Sequence, residues 1–373
     1  MFGILIASHS QYEPLLNKLA PRMNKRALNG RFARGAHYQN WIISLITACL
    51  WLPAANGDDW IRNLRITADL SGSAKNITKG SSNFGGVSTA GIDIHSTITE
   101  GDRNVATTVV QLYLVKAYSL GQRPAFLTSE NDWKLMARVN TINFHLTGDG
   151  RLNFLIGHPE LNYGLESSID TNGTLRQFTN GSNLGLKTDW GLSLNGDLTK
   201  LTYAISVTRG SGLDYAVDGD PWAITARFGS RQGSQAFFGV NGIGASAFTG
   251  KVQQPTGGFV ERTRVGIDGQ WYHGWFGMMS EISVGTDDGS DITNGLIELN
   301  ALSRNGSVTT YLQSRWEKKY RLSVSQESTS LAVGLRYQPT SKWTLSAQYK
   351  RKLNPANNQE TDGVFDLQIR RRR

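Results

Sequence analysis

From residue 58 onward the chain alternates. In Trp190–Val207, WGLSLNGDLTKLTYAISV, the side chains of Trp190, Leu192 and Leu194 fall on one side and Gly191 and Ser193 on the other. After the polar link NGDLTK the same period returns, with Leu201, Tyr203, Ile205 and Val207 against Thr202, Ala204 and Ser206. A period of two is that of a β-strand whose faces meet different surroundings, and the pair reads as a hairpin. Comparable segments are Leu64–Leu70, Thr89–Ile98, Val109–Ala117, Trp133–Leu146, Leu152–Gly157, Leu184–Leu194, Leu201–Val207 and Trp222–Phe228. The second half adds Ala236–Ile243, Arg262–Tyr272, Trp275–Val284, Leu296–Leu302, Val308–Trp316, Leu331–Tyr337, Trp343–Lys350 and Val364–Arg370, sixteen in all. No segment with helical period competes with them.

The connections alternate in length. KNITKGSSNFGG and GQRPAFLTSEND are long, whereas TEGDRN and GDGR are short; FTGKVQQPTGGFVE and KKYRLSVSQESTS read as long loops and GTDDGSDITNG as a moderate one. The longest runs from His158 to Asn183 and is the third of the long set. Up-and-down barrels across an asymmetric membrane have this signature, with tight turns at the periplasmic ends and long loops outside. An even strand count puts both ends of the barrel on the periplasmic side.

Which face points inward is not fixed by the period itself. The non-apolar face is repeatedly charged: Val265, Ile267 and Trp271 alternate with Arg264, Gly266, Asp268 and Gln270, and Leu331, Val333, Leu335 and Tyr337 with Ala332, Gly334 and Arg336. Rings stand at or near span ends (Trp133, Trp190, Trp222, Trp271, Trp275, Trp316, Tyr337 and Trp343), as in aromatic girdles at membrane interfaces. The apolar face is therefore expected to meet lipid. Closure into a barrel follows, because an open sheet edge is not tolerated in hydrocarbon.

The N-terminus supports export. A basic stretch with Lys25, Arg26, Arg31 and Arg34 precedes the apolar run Trp41–Leu52, and PAANG offers Ala55 and Gly57 for cleavage. The reading is a signal segment over residues 1–57, with translation from Met23, followed by a barrel over 58–373. The single cysteine, Cys49, lies in the segment; acylation at ITAC, Ile46–Cys49, is the rival reading. The remainder has no thiol, which excludes disulfides and Cys-ligated metals. Residues 1–57 take six Lys/Arg and one Glu, leaving 33 of the 39 basic and 29 of the 30 acidic side chains, a net of +4. All of that excess is matched by the run Arg370–Arg373, so the charge gives little ground for nucleic-acid binding.

The stretch FLIGHPELNYGLESSIDTNGTLRQFTNGSNLGLKTDWG, Phe154–Gly191, resembles porins of the phosphate-selective O/P superfamily, in which a glycine-containing strand end and a downstream GLE enter the third extracellular loop. The resemblance implies a sixteen-stranded, all-β outer-membrane channel of a Gram-negative bacterium, usually a homotrimer, whose third loop folds into the pore. Glu160, Glu166, Asp170 and Arg176 are the residues of that loop placed to line a constriction. Two features depart from the family: no ladder of basic residues matches its phosphate site, and the chain ends FDLQIRRRR instead of on the aromatic residue usual for barrel assembly.

Alternation assigns Arg65, Lys134, Arg138, Lys187, Arg227, Arg262, Arg264, Arg315, Lys319, Arg336 and Lys350 to the lumen, together with Asp69, Asp93, Asp189, Asp268, Glu281, Glu298, Glu317 and Asp366. Basic residues lead slightly, and a mild anion preference is expected; Arg262 and Arg264 share a face and form the best basic patch. Catalysis finds little support, since the histidines after residue 57 (His95, His145, His158 and His273) adjoin no nucleophile motif. No cofactor, metal or nucleic acid is expected. The function expected is passive passage of small hydrophilic solutes or ions, with a non-conducting scaffold or surface receptor as the alternative.

Overall fold

The computed structural model describes residues 63–77, 84–118, 132–169, 174–214, 219–230, 235–236, 239–240, 242–254, 257–321, 324–354 and 363–373. The expected signal segment 1–57 and the expected constriction residue Asp170 lie outside them. Sixteen strands form one closed antiparallel sheet. They are β1 (Arg65–Ile77), β2 (Phe84–Glu100), β3 (Arg103–Tyr118), β4 (Lys134–His145), β5 (Asn153–His158), β6 (Gly191–Asp197), β7 (Leu201–Thr208) and β8 (Trp222–Ser230). The second half comprises β9 (Gly242–Gln253), β10 (Phe259–His273), β11 (Phe276–Asp287), β12 (Ser290–Leu302), β13 (Val308–Arg321), β14 (Val324–Thr340), β15 (Trp343–Lys352) and β16 (Gly363–Arg372). Each strand pairs with its neighbours in sequence, and β16 closes on β1. This is the all-β, up-and-down architecture of a transmembrane barrel.

The faces fall as the alternation predicts, with the apolar one outside. On β10, Val265 and Ile267 are 52% and 63% exposed while Arg264 and Asp268 are 0% and 7% exposed. Leu331, Val333, Leu335 and Tyr337 of β14 are likewise outside, as are Phe365, Leu367 and Ile369 of β16. A soluble barrel would show the reverse. The rings of Trp133, Trp222, Trp271, Trp275, Tyr337 and Trp343 are exposed at strand ends, whereas Trp190 is turned away and packs 4.8 Å from the His158 ring.

Several boundaries differ from the sequence reading. The segment Ala236–Ile243 is replaced as the ninth strand by Gly242–Gln253. Its inward residues include Phe248 and Val252, which are apolar because they face a folded-in connection and not water. Alternation is therefore erased there. Leu184–Leu194 is strand only from Gly191; Asn180–Leu184 forms a short helix, α1, ended by Gly185 at φ 75°. Expected outer loops shrink because the strands continue beyond the apolar band with both faces polar. Lys318 and Glu327, cross-strand partners on β13 and β14, pair at 2.6 Å on the outer surface. The moderate loop GTDDGSDITNG reduces to a two-residue turn at Asp288 (φ 46°) and Gly289 (φ 75°), the geometry that an Asp-Gly hairpin favours. The C-terminal arginine run is not a loose tail. It belongs to β16, with Arg372 opposite Asp69.

Candidate functional site

Between β5 and β6, the described parts of the connection, residues 159–169 and 174–190, lie against the inner wall of β9 to β13. Its backbone is fastened by wall side chains: Gly164 N–H donates to Ser246 Oγ (3.0 Å), Leu165 N–H to Glu281 Oε2 (2.9 Å) and Gln177 N–H to Gln313 Oε1 (3.3 Å). The Tyr163 hydroxyl donates to Ser283 Oγ at 3.0 Å, and Asn294 Nδ2 donates to Asn183 Oδ1 at 2.6 Å. Glu281, 3% exposed, also accepts from the Thr179 hydroxyl and from Asn183 Nδ2. Neutral donors satisfy this buried carboxylate, which makes it the central anchor of the segment.

The GLE triplet has a local reason for its glycine. Gly164 has φ 56°, and a Cβ there would stand 2.3 Å from Glu281 Oε2. Only glycine brings the backbone this close to the wall. Leucines on both sides supply the apolar grip. Leu161, Tyr163, Leu184 and Leu186 pack on Ala223, Phe248, Val252 and Val260, and Leu165 packs on Tyr272, Met279 and Leu296. Apolar clusters thus sit inside the barrel where the connection meets the wall.

The charged residues expected from the sequence gather around this segment. Glu160 stands 3.9 Å from Arg138 and 3.8 Å from Lys187, and Glu166 stands 3.2 Å from Lys187. Lys187 lies on the return leg of the connection and not on a strand, contrary to the strand reading of 184–194. Arg138 also stacks over the Tyr113 ring at 5.2 Å. Arg176 pairs with the buried Glu298 at 3.0 Å. Arg227 donates to the Gly164 carbonyl (3.1 Å) and to Asp268 (2.7 Å). Arg315 and Lys350 both donate to the Gln177 side-chain oxygen, at 2.8 and 3.3 Å, a neutral acceptor. Arg336 lines, with Arg176, Arg227, Asp268 and Tyr311, a cavity of about 550 Å³. Arg262 and Arg264 do share a face, and both bind Asp287, at 2.8 and 2.6 Å.

Three structural roles escaped the sequence reading. His158, fully buried at the end of β5, lies 3.1 Å from the Gly212 carbonyl through Nε2. Asp189 accepts backbone N–H groups of Gly210, Ser211 and Gly212, tying the β7–β8 connection to the folded-in segment. Gln177, the acceptor for two cations, carries no charge and gave no signal. The Asp189 of DWG with the glycine-rich stretch Gly210–Gly212 about twenty residues on is the only hint of the second contact, and it is generic.

No family model and no curated protein matches this chain. Solved structures do. It is similar to OprB of Pseudomonas putida at high pH (TM-score 0.63, 10% identity, covering 84% of this chain and 95% of that one). It is similar to an anion-selective porin from Comamonas acidovorans (TM-score 0.63, 9% identity, 83% and 99% covered). The outer membrane channel DcaP of Acinetobacter baumannii aligns with TM-score 0.57 and 10% identity, 83% and 97% covered. The fold is shared with outer-membrane porins. At these identities the likeness is one of fold alone, and it does not single out the phosphate-selective O/P group.

Proposed function

We propose that this chain is an outer-membrane porin, a water-filled channel passing small hydrophilic solutes or ions by diffusion in a Gram-negative bacterium. The observation that carries the reading is the pairing of an apolar exterior with a charged interior into which one long connection folds. The 159–190 connection is the constriction in this reading, with Glu160, Glu166 and Arg176 at its edge and Arg138, Arg315 and Lys350 on the wall. A narrowed water path concentrates the field of its lining charges, which sets selectivity. Arg315 and Lys350 share a neutral acceptor while most other inward cations face carboxylates, which favours anions mildly. Residues 1–57 would direct export. No enzymatic role is assigned.

A homotrimer fits the wall height. β5, β6 and β7 have 6, 7 and 8 residues, whereas β2 and β14 have 17. Six residues rise about 20 Å along a strand and about 15 Å along the normal of a tilted barrel, short of an apolar band of about 25 Å. Neighbouring copies would cover that notch.

Planar-bilayer recording of purified protein tests the channel. Stable ohmic steps with an anion-shifted reversal potential in a salt gradient are expected. Silence at high protein amounts would favour the non-conducting scaffold, and a cation-shifted reversal would remove the anion preference.

A further inference from the structure

The end of the barrel that carries the tight turns is electrically lopsided. Around β2 to β7 its charges cancel or tip negative: the β2–β3 turn has Glu100 and Asp102 with Arg103, the β4–β5 turn has Asp149 and Arg151 paired at 2.8 Å, and the β6–β7 turn has Asp197 and Lys200. The β10–β11 turn has no charged residue. The sector from β12 to β16 differs. Its turns hold Arg304 and Lys342, each without a carboxylate beside it, and β16 ends there in Arg371 and Arg373. Among the described residues none of these cations meets a carboxylate, and Asp69 and Asp93, on the adjoining strands, are taken by Arg370 and Arg372.

Two of these cations stand on the outer face. Arg370 and Arg372 reach Asp69 and Asp93 inside the barrel, so alternation turns Arg371 and Arg373 outward, in line with the exposed Phe365, Leu367 and Ile369. Both arginines are exposed. The Arg371 guanidinium lies over the ring of its cross-strand partner Trp343, 5.3 Å from the centroid. Arg373 is fixed to β1, where its N–H donates to the Ala68 carbonyl at 2.8 Å and its carbonyl accepts the Ala68 N–H at 2.6 Å. Two positions along one strand separate the pair by about 7 Å, within reach of one ligand for side chains of this length. An exposed ring at a strand end marks headgroup level, and Arg371 stacks on such a ring. A cation placed there, outside the lumen, meets headgroups and not a passing solute.

We propose that this face binds the phosphate of an anionic phospholipid, with Arg371 and Arg373 donating to its oxygens. Planar guanidinium groups match phosphate oxygens with paired, charge-assisted hydrogen bonds. Arg304 and Lys342 add to the positive field of the sector without touching the lipid, and cations at a membrane surface draw anionic headgroups. The inference rests on the outer-membrane reading, in which the tight-turn end meets the periplasmic leaflet. It does not require that the chain conduct.

The test is native mass spectrometry of the full chain in neutral detergent, titrated with phosphatidylglycerol and, separately, with phosphatidylcholine of the same acyl chains. The first phosphatidylglycerol is expected to bind at least about fivefold tighter than the first phosphatidylcholine, through attraction of its charge to the paired arginines. R371Q/R373Q should abolish that preference, R371K/R373K should keep most of it, and K200Q, in a turn of balanced charge, should keep all of it. Heat-modifiable gel migration checks that each variant folds. Equal affinity for the two lipids in the wild type, or an undiminished preference in folded R371Q/R373Q, would overturn the site. A chain that bound neither lipid would lose the membrane reading together with the site, whereas one that bound both equally would lose the site alone.

Discussion

At the scale of single residues, the folded-in segment rests on polar side chains that a simple hydrophobic count would overlook. Glu281 holds Leu165, Thr179 and Asn183 through neutral donors. Glu281→Ala would leave those donors buried and unpaired, at about 1–3 kcal/mol for each group that finds no water. The expected outcome is a looser constriction, read as higher and noisier single-channel conductance in a protein that still migrates as a folded barrel. Glu281→Gln keeps an acceptor and should lie between the variant and wild type. The pair Arg315 and Lys350 makes a second case. Both donate to Gln177, so no carboxylate in that contact cancels their charge. Arg315→Gln with Lys350→Gln should move the zero-current potential in a salt gradient toward cations, while Lys342→Gln, on an outlying turn, should not move it.

At the scale of elements, each strand tests its own two faces. Ile267 lies outside, near the middle of β10, and its neighbour Asp268 lies inside against Arg227. Ile267→Arg should cost about 2–4 kcal/mol if the outer face meets lipid near the bilayer midplane. Urea unfolding of the protein refolded in lipid vesicles would measure it, and an unchanged midpoint would argue that this face meets water. Where a strand separates lipid from an aqueous lumen, as β10, β14 and β15 do, its sequence states both boundaries, and those elements were legible. β9 was not. Its inward Phe248 and Val252 answer to Leu161, Tyr163, Leu184 and Leu186, residues more than sixty positions earlier, and no local period reports such a partner. Polar extensions of β13 and β14 were read as loops for a related reason: beyond the apolar band both faces meet water, and the strand is held by backbone pairing and by contacts such as Lys318 with Glu327. Glu160, Glu166 and Arg176 were picked out because they sit in the longest of the connections. Gln177, equally central, was invisible because it is neutral.

At the scale of the whole molecule, the decisive event is closure of β16 on β1. The terminal arginines, which as sequence suggest only a basic tail, supply its inner face. Arg370 donates through Nε to both oxygens of Asp69, at 2.9 and 3.1 Å, and through Nη2 to Oδ2. Arg372 donates to Asp93 at 2.8 Å. The Tyr113 hydroxyl donates to Asp69 at 3.1 Å and to Asp93 at 2.8 Å, so β1, β2, β3 and β16 share one network across the seam. Asp69 is 2% and Asp93 0% exposed, which makes these contacts different in kind from an open surface pair. Removing one partner of a buried pair strands the other charge, at about 3–5 kcal/mol. Asp69→Asn should therefore lower the temperature at which the barrel loses its folded gel mobility, whereas Glu327→Gln, on the exposed outer surface, should leave it unchanged. Replacing both partners, Asp69→Leu with Arg370→Leu, removes the stranded charge along with the bond, and should recover much of the loss. If Asp69→Asn and Glu327→Gln melted alike, the seam would owe its stability to backbone pairing alone, and the inward arginines would have to be explained by the lumen they line.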